Sequence, residues 1–168
     1  MRPVHLVRRF VRALWPGPPR ATDVAWVESV LTPAELAVWR QLPNHDRRYS
    51  IRVARRVEHL LSGTRFADEP CWSAVALLHD VGKLDSDLGV FRRAFATVAG
   101  AVRPRLRLSP GPLGRYLRHD EIGAERLRAA GARDEAARWA GVHHQAERWD
   151  ATGIPATVAA ALDAADNS

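Results

Sequence analysis

Leu77-Leu78-His79-Asp80-Val81-Gly82-Lys83 closes an apolar run, residues 72–78, that holds no charged residue and reads as the last turns of a buried helix. A neutral imidazole and a carboxylate delivered by such a helix are costly to hide unless something pairs with them. A divalent metal would do so. Gly82 allows a sharp turn just after the pair, so that Lys83 can fold back toward the same point. Of 25 basic residues 24 are Arg and Lys83 is the one Lys, and a compact ammonium and a planar guanidinium are not interchangeable. Taken alone, the pair reads equally well as a satisfied core histidine beside a helix-terminal acid; the later histidines shift the balance toward a site.

Upstream, residues 1–15 scatter Arg2, Arg8, Arg9 and Arg12 among apolar residues. This breaks a signal-peptide core and leaves a basic amphipathic helix expected to pack on the domain. Trp15-Pro16-Gly17-Pro18-Pro19 cannot be helical and ends that arm. The expected organisation is a basic arm and Pro-rich linker over 1–20, lead-in helices over 21–43 and one main domain over 44–168. In the lead-in, Thr32, Pro33 and Glu35 form a capping box at the head of a helix that turns Leu36, Trp39 and Leu42 inward. The next helix opens near Asn44 or Asp46, either of which can cap it. Its inner stripe is Tyr49, Val53, Val57 and Leu60, with His45 one turn before Tyr49 on the same side.

Composition bounds the rest. The net charge of +6 over 168 residues is spread along the chain, which suits an anionic substrate and gives only weak support to nucleic-acid binding. A single Cys, Cys71, excludes an internal disulfide framework and fits a reducing cytoplasm. No apolar run approaches the roughly 18 residues that span a bilayer.

Downstream, a helix is expected around 91–101, a basic Pro/Gly loop over 103–114 and one helix over 112–130 that carries His119 inward, with Gly123 leaving space one turn on. Asp120 and Glu121 read equally as solvated residues of that helix. Asp134 caps the following helix, which ends in Gly141-Val142-His143-His144. Neighbouring helical residues diverge by about 100°, so both imidazoles reach one centre only near a helix end. The last helix, 155–166, continues the stripe Val158, Leu162 to Asp166 and so projects a carboxylate into the core. With no strand alternation, the fold expected is all-α, a bundle of seven to nine helices. One His-Asp pair, further histidines and a terminal Asp from separate helices favour a metal centre. Imidazole and carboxylate without thiolate suit Fe, Mn, Zn, Mg or Ni alike.

The order His, His-Asp, His, His-His, Asp resembles the HD superfamily of metal-dependent phosphohydrolases. His79-Asp80-Val81-Gly82-Lys83 is similar to its HD-x-G-K signature. Arg118-His119-Asp120-Glu121-Ile122-Gly123, His143-His144 and Trp149-Asp150-Ala151-Thr152-Gly153-Ile154-Pro155 resemble the HD-GYP subfamily, whose members degrade cyclic dinucleotides. The likeness spans about residues 44–166 and extends to small stand-alone HD proteins of high-GC bacteria. It implies an HD-like bundle and hydrolysis of a nucleotide or other phosphate ester by a hydroxide bridging two ions. Asp80 would bridge; His79, Asp166 and His45 would complete the first position, and His119, His143 and His144 the second. Lys83 would stabilise phosphoryl charge, Asp166 would orient the hydroxide, and Arg115 or Arg118 would hold the substrate.

Two departures qualify this. Tyr49 stands before Ser50-Ile51-Arg52-Val53-Ala54, where the family has its first His. His45 takes over, Tyr49 ligates weakly, or the first position is empty. Ala151 and Ile154 replace a Gly and the Tyr of the HD-GYP motif, so cyclic di-GMP is not implied. The alternative is a degenerate HD domain that binds metal or nucleotide without hydrolysis.

Overall fold

The computed structural model describes residues 17–86 and 104–168. The expected basic arm and the helix around 91–101 lie outside them. The described residues form eight α-helices and no strand: α1 (Ala21–Val30), α2 (Pro33–Arg40), α3 (Asn44–Leu61), α4 (Pro70–Leu78), α5 (Pro112–Leu117), α6 (His119–Ala129), α7 (Asp134–Ala140) and α8 (Ala156–Asp166). Shorter 3-10 turns span Val81–Ser86, Pro104–Leu108 and Ala146–Thr152. The all-α expectation therefore holds. No helix among the described residues is long and apolar enough to cross a membrane.

The core is organised by α4. Every residue from Trp72 to Leu78 is buried, as the uncharged run requires, and α4 packs on α1, α2, α3 and α7. Truncating fully buried Leu77 or Leu78 to Ala would cost roughly 2–5 kcal/mol, the range for core cavities. On α3, the stripe buries Tyr49, Val53 and Val57 as expected. Leu61 rather than Leu60 completes it, and Ser50, Ile51 and Ala54 are buried too, because α3 is covered by α4 on one side and by α8 on another.

The capping box on α2 is present: the Thr32 hydroxyl accepts from the Glu35 N–H, and the Glu35 carboxylate accepts from the Thr32 N–H at 2.9 Å. Two other expected caps are not. Pro43 is the N-cap of α3 and Arg133 that of α7, so Asn44, Asp46 and Asp134 fall inside first turns. There Asp46 and Asp134 still oppose the positive helix end.

The turn expected at Gly82 is present and Lys83 returns to Asp80, but a left-handed backbone is not what calls for glycine there. Its φ is not in the left-handed region, and it lies within the 3-10 turn Val81–Ser86. What excludes a side chain there is close approach: a Cβ would sit 1.9 Å from the His119 carbonyl oxygen and 2.6 Å from the Gly123 nitrogen. Gly123 faces the Gly82 backbone in return, its own Cβ position 3.1 Å from the Gly82 nitrogen. This glycine-on-glycine crossing lets α6 lie directly on the turn that carries Lys83. Arg126 of α6 reinforces it, reaching both carboxylate oxygens of Asp85 at 2.7 and 3.2 Å.

The single helix expected over 112–130 is broken. Arg118, at φ −109° and ψ 21°, separates α5 from α6, and His119 becomes the first residue of a new helix.

Candidate metal centre

Four helix ends meet at one point. His79 is the C-cap of α4, His119 opens α6, His143 and His144 follow the end of α7, and Asp166 ends α8. The turn after α7 is pinned by Trp149, whose indole N–H donates to the Val142 carbonyl at 3.2 Å while its ring packs on Trp139. Beyond the helix, adjacent His143 and His144 turn to the same side, their ring centroids 3.9 Å apart.

Three imidazoles share one mode of attachment. Nδ1 of His79, His119 and His143 lies 2.8, 2.8 and 2.9 Å from the carbonyl oxygens of Ala76, Tyr116 and Ala140, each three residues earlier. A carbonyl only accepts, so each Nδ1 carries a proton and donates it. Each Nε2 is thereby aimed inward, the arrangement by which a backbone partner orients a histidine for a metal.

The inward nitrogens converge on Asp80. Its Oδ1 is 3.4 Å from His119 Nε2 and 3.7 Å from His143 Nε2. Its Oδ2 is 3.4 Å from His79 Nε2 and pairs with the Lys83 ammonium. Asp166 Oδ1 lies 3.2 Å from His79 Nε2. Two groups result, His79-Asp80-Asp166 and His119-His143-His144, and within each the ligand atoms lie within 4.8 Å of one another. Among the described residues, Nε2 of His119 and of His143 is buried with no hydrogen-bond partner. Leaving a buried polar nitrogen unfilled is costly, and a cation accepted by these lone pairs would remove the cost. The donor set therefore fits a metal ion.

Electrostatics divides the two groups. Burial opposes ionisation of Asp80, yet the Lys83 and His79 charges hold its carboxyl well below the usual carboxylate range. Burial likewise pushes His79 down, but Asp80 and Asp166 reverse it and lift the imidazole to about 10. His119 and His144 behave oppositely. Burial pushes His119 down despite Asp80. His144 is held low first by desolvation of its ring and then by the His143 and His119 rings, although the residue is exposed on its outer side. Neutral imidazoles are the form that binds metal.

His45 joins neither group; its Nε2 lies 3.4 Å from Asp46. Tyr49 occupies that side of the site instead, its hydroxyl donating to the Asp166 carboxylate and to the Asp166 carbonyl at 2.8 Å. One helical turn rises about 5.4 Å, so only one of the two residues can meet the end of α8, and α8 docks at the level of Tyr49. The two arginines expected at the substrate are anchored to backbone: Arg115 Nε donates to the Asp85 carbonyl at 2.6 Å, and Arg118 to that of Arg107.

Asp120 is not a solvated residue. It is 1% exposed and accepts from Arg107 at 3.0 and 3.1 Å, from the Gln145 amide at 3.1 Å and from the Glu121 N–H at 3.0 Å. Gln145 directly follows the His143-His144 pair, so Asp120 ties that turn to α6. The signal in the sequence was an acid beside His119 and an amide beside His144. Glu121, by contrast, is exposed.

Comparisons with protein-family models, with curated proteins and with solved structures find no match. What the described residues define is an all-helical chain with buried His/Asp groups that could hold a metal ion.

Proposed function

We propose that the chain is a metal-dependent phosphohydrolase of the HD type, acting on a nucleotide or other phosphate ester. The observation that carries this reading is the Asp80 carboxylate between two ligand groups, with three backbone-anchored imidazoles turned toward it and an ammonium on the same side. A divalent ion held by these residues would lower the pKa of water and polarise a phosphoryl oxygen. The chain's own part is to hold that chemistry in place. Asp80 offers one oxygen to each group, while His79 and Asp166 serve one side and His119, His143 and His144 the other. Lys83, 6% exposed, supplies a fixed positive charge where a phosphoryl group gains negative charge, and a fixed charge in a nearly dry site acts more strongly than one in water. Arg115 and Arg118 enter as substrate-holding cations only through the guanidinium nitrogens not used on backbone carbonyls.

A second reading, a binding module without hydrolysis, draws on Tyr49, whose hydroxyl engages Asp166 where the family has an imidazole. Metal analysis of protein purified without added metal, beside a phosphodiesterase and nucleotide phosphatase panel, separates the two. The expected result is bound metal and turnover of at least one substrate, both lost in Asp80→Ala. Metal retained by folded Asp80→Ala defeats the site; metal bound with a flat panel favours the module.

A further inference from the structure

The two ligand groups are not in the same state. In the His119-His143-His144 group the inward nitrogens of His119 and His143, whose ring protons are on Nδ1, have no hydrogen bond to give up among the described residues. In the other group the ligand atoms are engaged with one another. His79 donates through Nδ1 to Ala76, and its Nε2 is hydrogen-bonded to Asp166 Oδ1 at 3.2 Å. The same Asp166 oxygen accepts from the Tyr49 hydroxyl, and Asp80 Oδ2 is paired with Lys83. Tyr49 is itself held: it is 7% exposed, and the Arg52 guanidinium lies 4.7 Å from its ring centroid. A small cavity lined in part by His79, His143, Asp163 and Asp166 adjoins this group. What stands in the way is the set of hydrogen bonds that an entering cation must break. A phenol, with an unperturbed pKa near 10, gives little back as a ligand at neutral pH.

We infer that Tyr49 is a lock on the second metal position: the His119-His143-His144 group with Asp80 takes one ion tightly, and the His79-Asp80-Asp166 group takes another only when the Tyr49–Asp166 bond opens. This rests on the metal-binding part of the proposed function and goes beyond it by ranking the two positions and naming the residue that separates them.

The test is a Co²⁺ or Mn²⁺ titration of chelator-stripped full-length protein, with bound ion counted by elemental analysis and Co²⁺ followed by absorption. Wild type is expected to hold one tight ion, lost in His143→Ala and kept in Asp166→Asn. Tyr49→Phe keeps the ring but removes the donated hydrogen bond, and should tighten the second ion by about tenfold or more, the scale of a hydrogen bond to a charged group. Tyr49→His, which adds a ligand as well, should tighten it further and serves if the Phe variant fails to fold. Two equally tight ions in wild type overturn the inference, as does weaker second-ion binding in both variants, which would make Tyr49 a support for Asp166. A chain that takes up no ion fails the metal reading itself. One tight ion with no hydrolysis removes only the proposed phosphohydrolase.

Discussion

Glu35 and Asp80 are both carboxylates with almost no exposed surface, and each faces a cation, but their surroundings differ in kind. Glu35, fully buried, accepts from the Thr32 N–H at 2.9 Å and from three nitrogens of Arg133 at 2.6, 2.8 and 3.0 Å. Those donors belong to the chain at the heads of α2 and α7, and they close the acceptor completely. Asp80 pairs with Lys83 and, among the described residues, is approached by imidazoles whose Nδ1 atoms are committed to backbone and whose Nε2 atoms face it. A buried acid saturated by hydrogen bonds is scaffolding. One faced by inward nitrogens, two of them without a hydrogen-bond partner among the described residues, could hold a cation.

The largest effect expected from this contrast is on the scaffold. Arg133→Ala leaves Glu35 buried without its main partner and should cost roughly 3–5 kcal/mol in urea unfolding, with metal content per folded chain unchanged. The same pair predicts a pH dependence. Burial raises the Glu35 pKa, but the Arg133 side chain and backbone and the Thr32 backbone outweigh it and bring it from 4.5 to about 2. A depressed folded value stabilises above the unfolded one, so about 3 kcal/mol is present above pH 4.5 and is lost as pH falls toward 2. The stability difference between wild type and Glu35→Gln should shrink across that window; a constant difference would show that the pair is not what holds α2 to α7.

Next comes Lys83. Lys83→Ala should retain metal and fold yet lose roughly 10²-fold in turnover, as other preorganised charges do. Lys83→Arg should also be impaired, because a planar fork does not put its charge where an ammonium does. Full turnover in both would make Asp80–Lys83 a structural pair like Glu35–Arg133 and erase the contrast. The smallest effect is expected at Asp120. Asp120→Asn keeps the shape but weakens the bonds to Arg107 and Gln145, and should lower metal affinity by about tenfold, the low end for groups that orient ligands. Chelator competition measures this. Unchanged affinity would confine Asp120 to tethering Arg107.

Much of this arrangement is legible along the chain. The uncharged run into His79 and Asp80 marks α4 as the central helix, because no other placement hides so much apolar surface. His143-His144 beside Gly141 marks a helix end, because only there can adjacent imidazoles converge. Asp166, continuing the stripe of Val158 and Leu162, declares a carboxylate turned inward. These are consequences of helical period and of the cost of burying charge, and both act within a few residues.

Other features were decided only when distant segments met. Whether His45 or Tyr49 reaches the site depends on where α8 docks along α3, a contact between residues 117 apart in sequence. Gly82 reads locally as a turn residue, yet its requirement comes from the His119 carbonyl and Gly123 of another helix. The ties of Asp120 to Arg107 and Gln145 and the joining of Glu35 to Arg133 are likewise long-range. The residue types, and with them the candidate donors for a cation, were determined by the sequence alone. Which side chains face one another, and which of two similar ligand groups is left open, was decided by packing, because a hydrogen bond forms only where the fold brings donor and acceptor within reach.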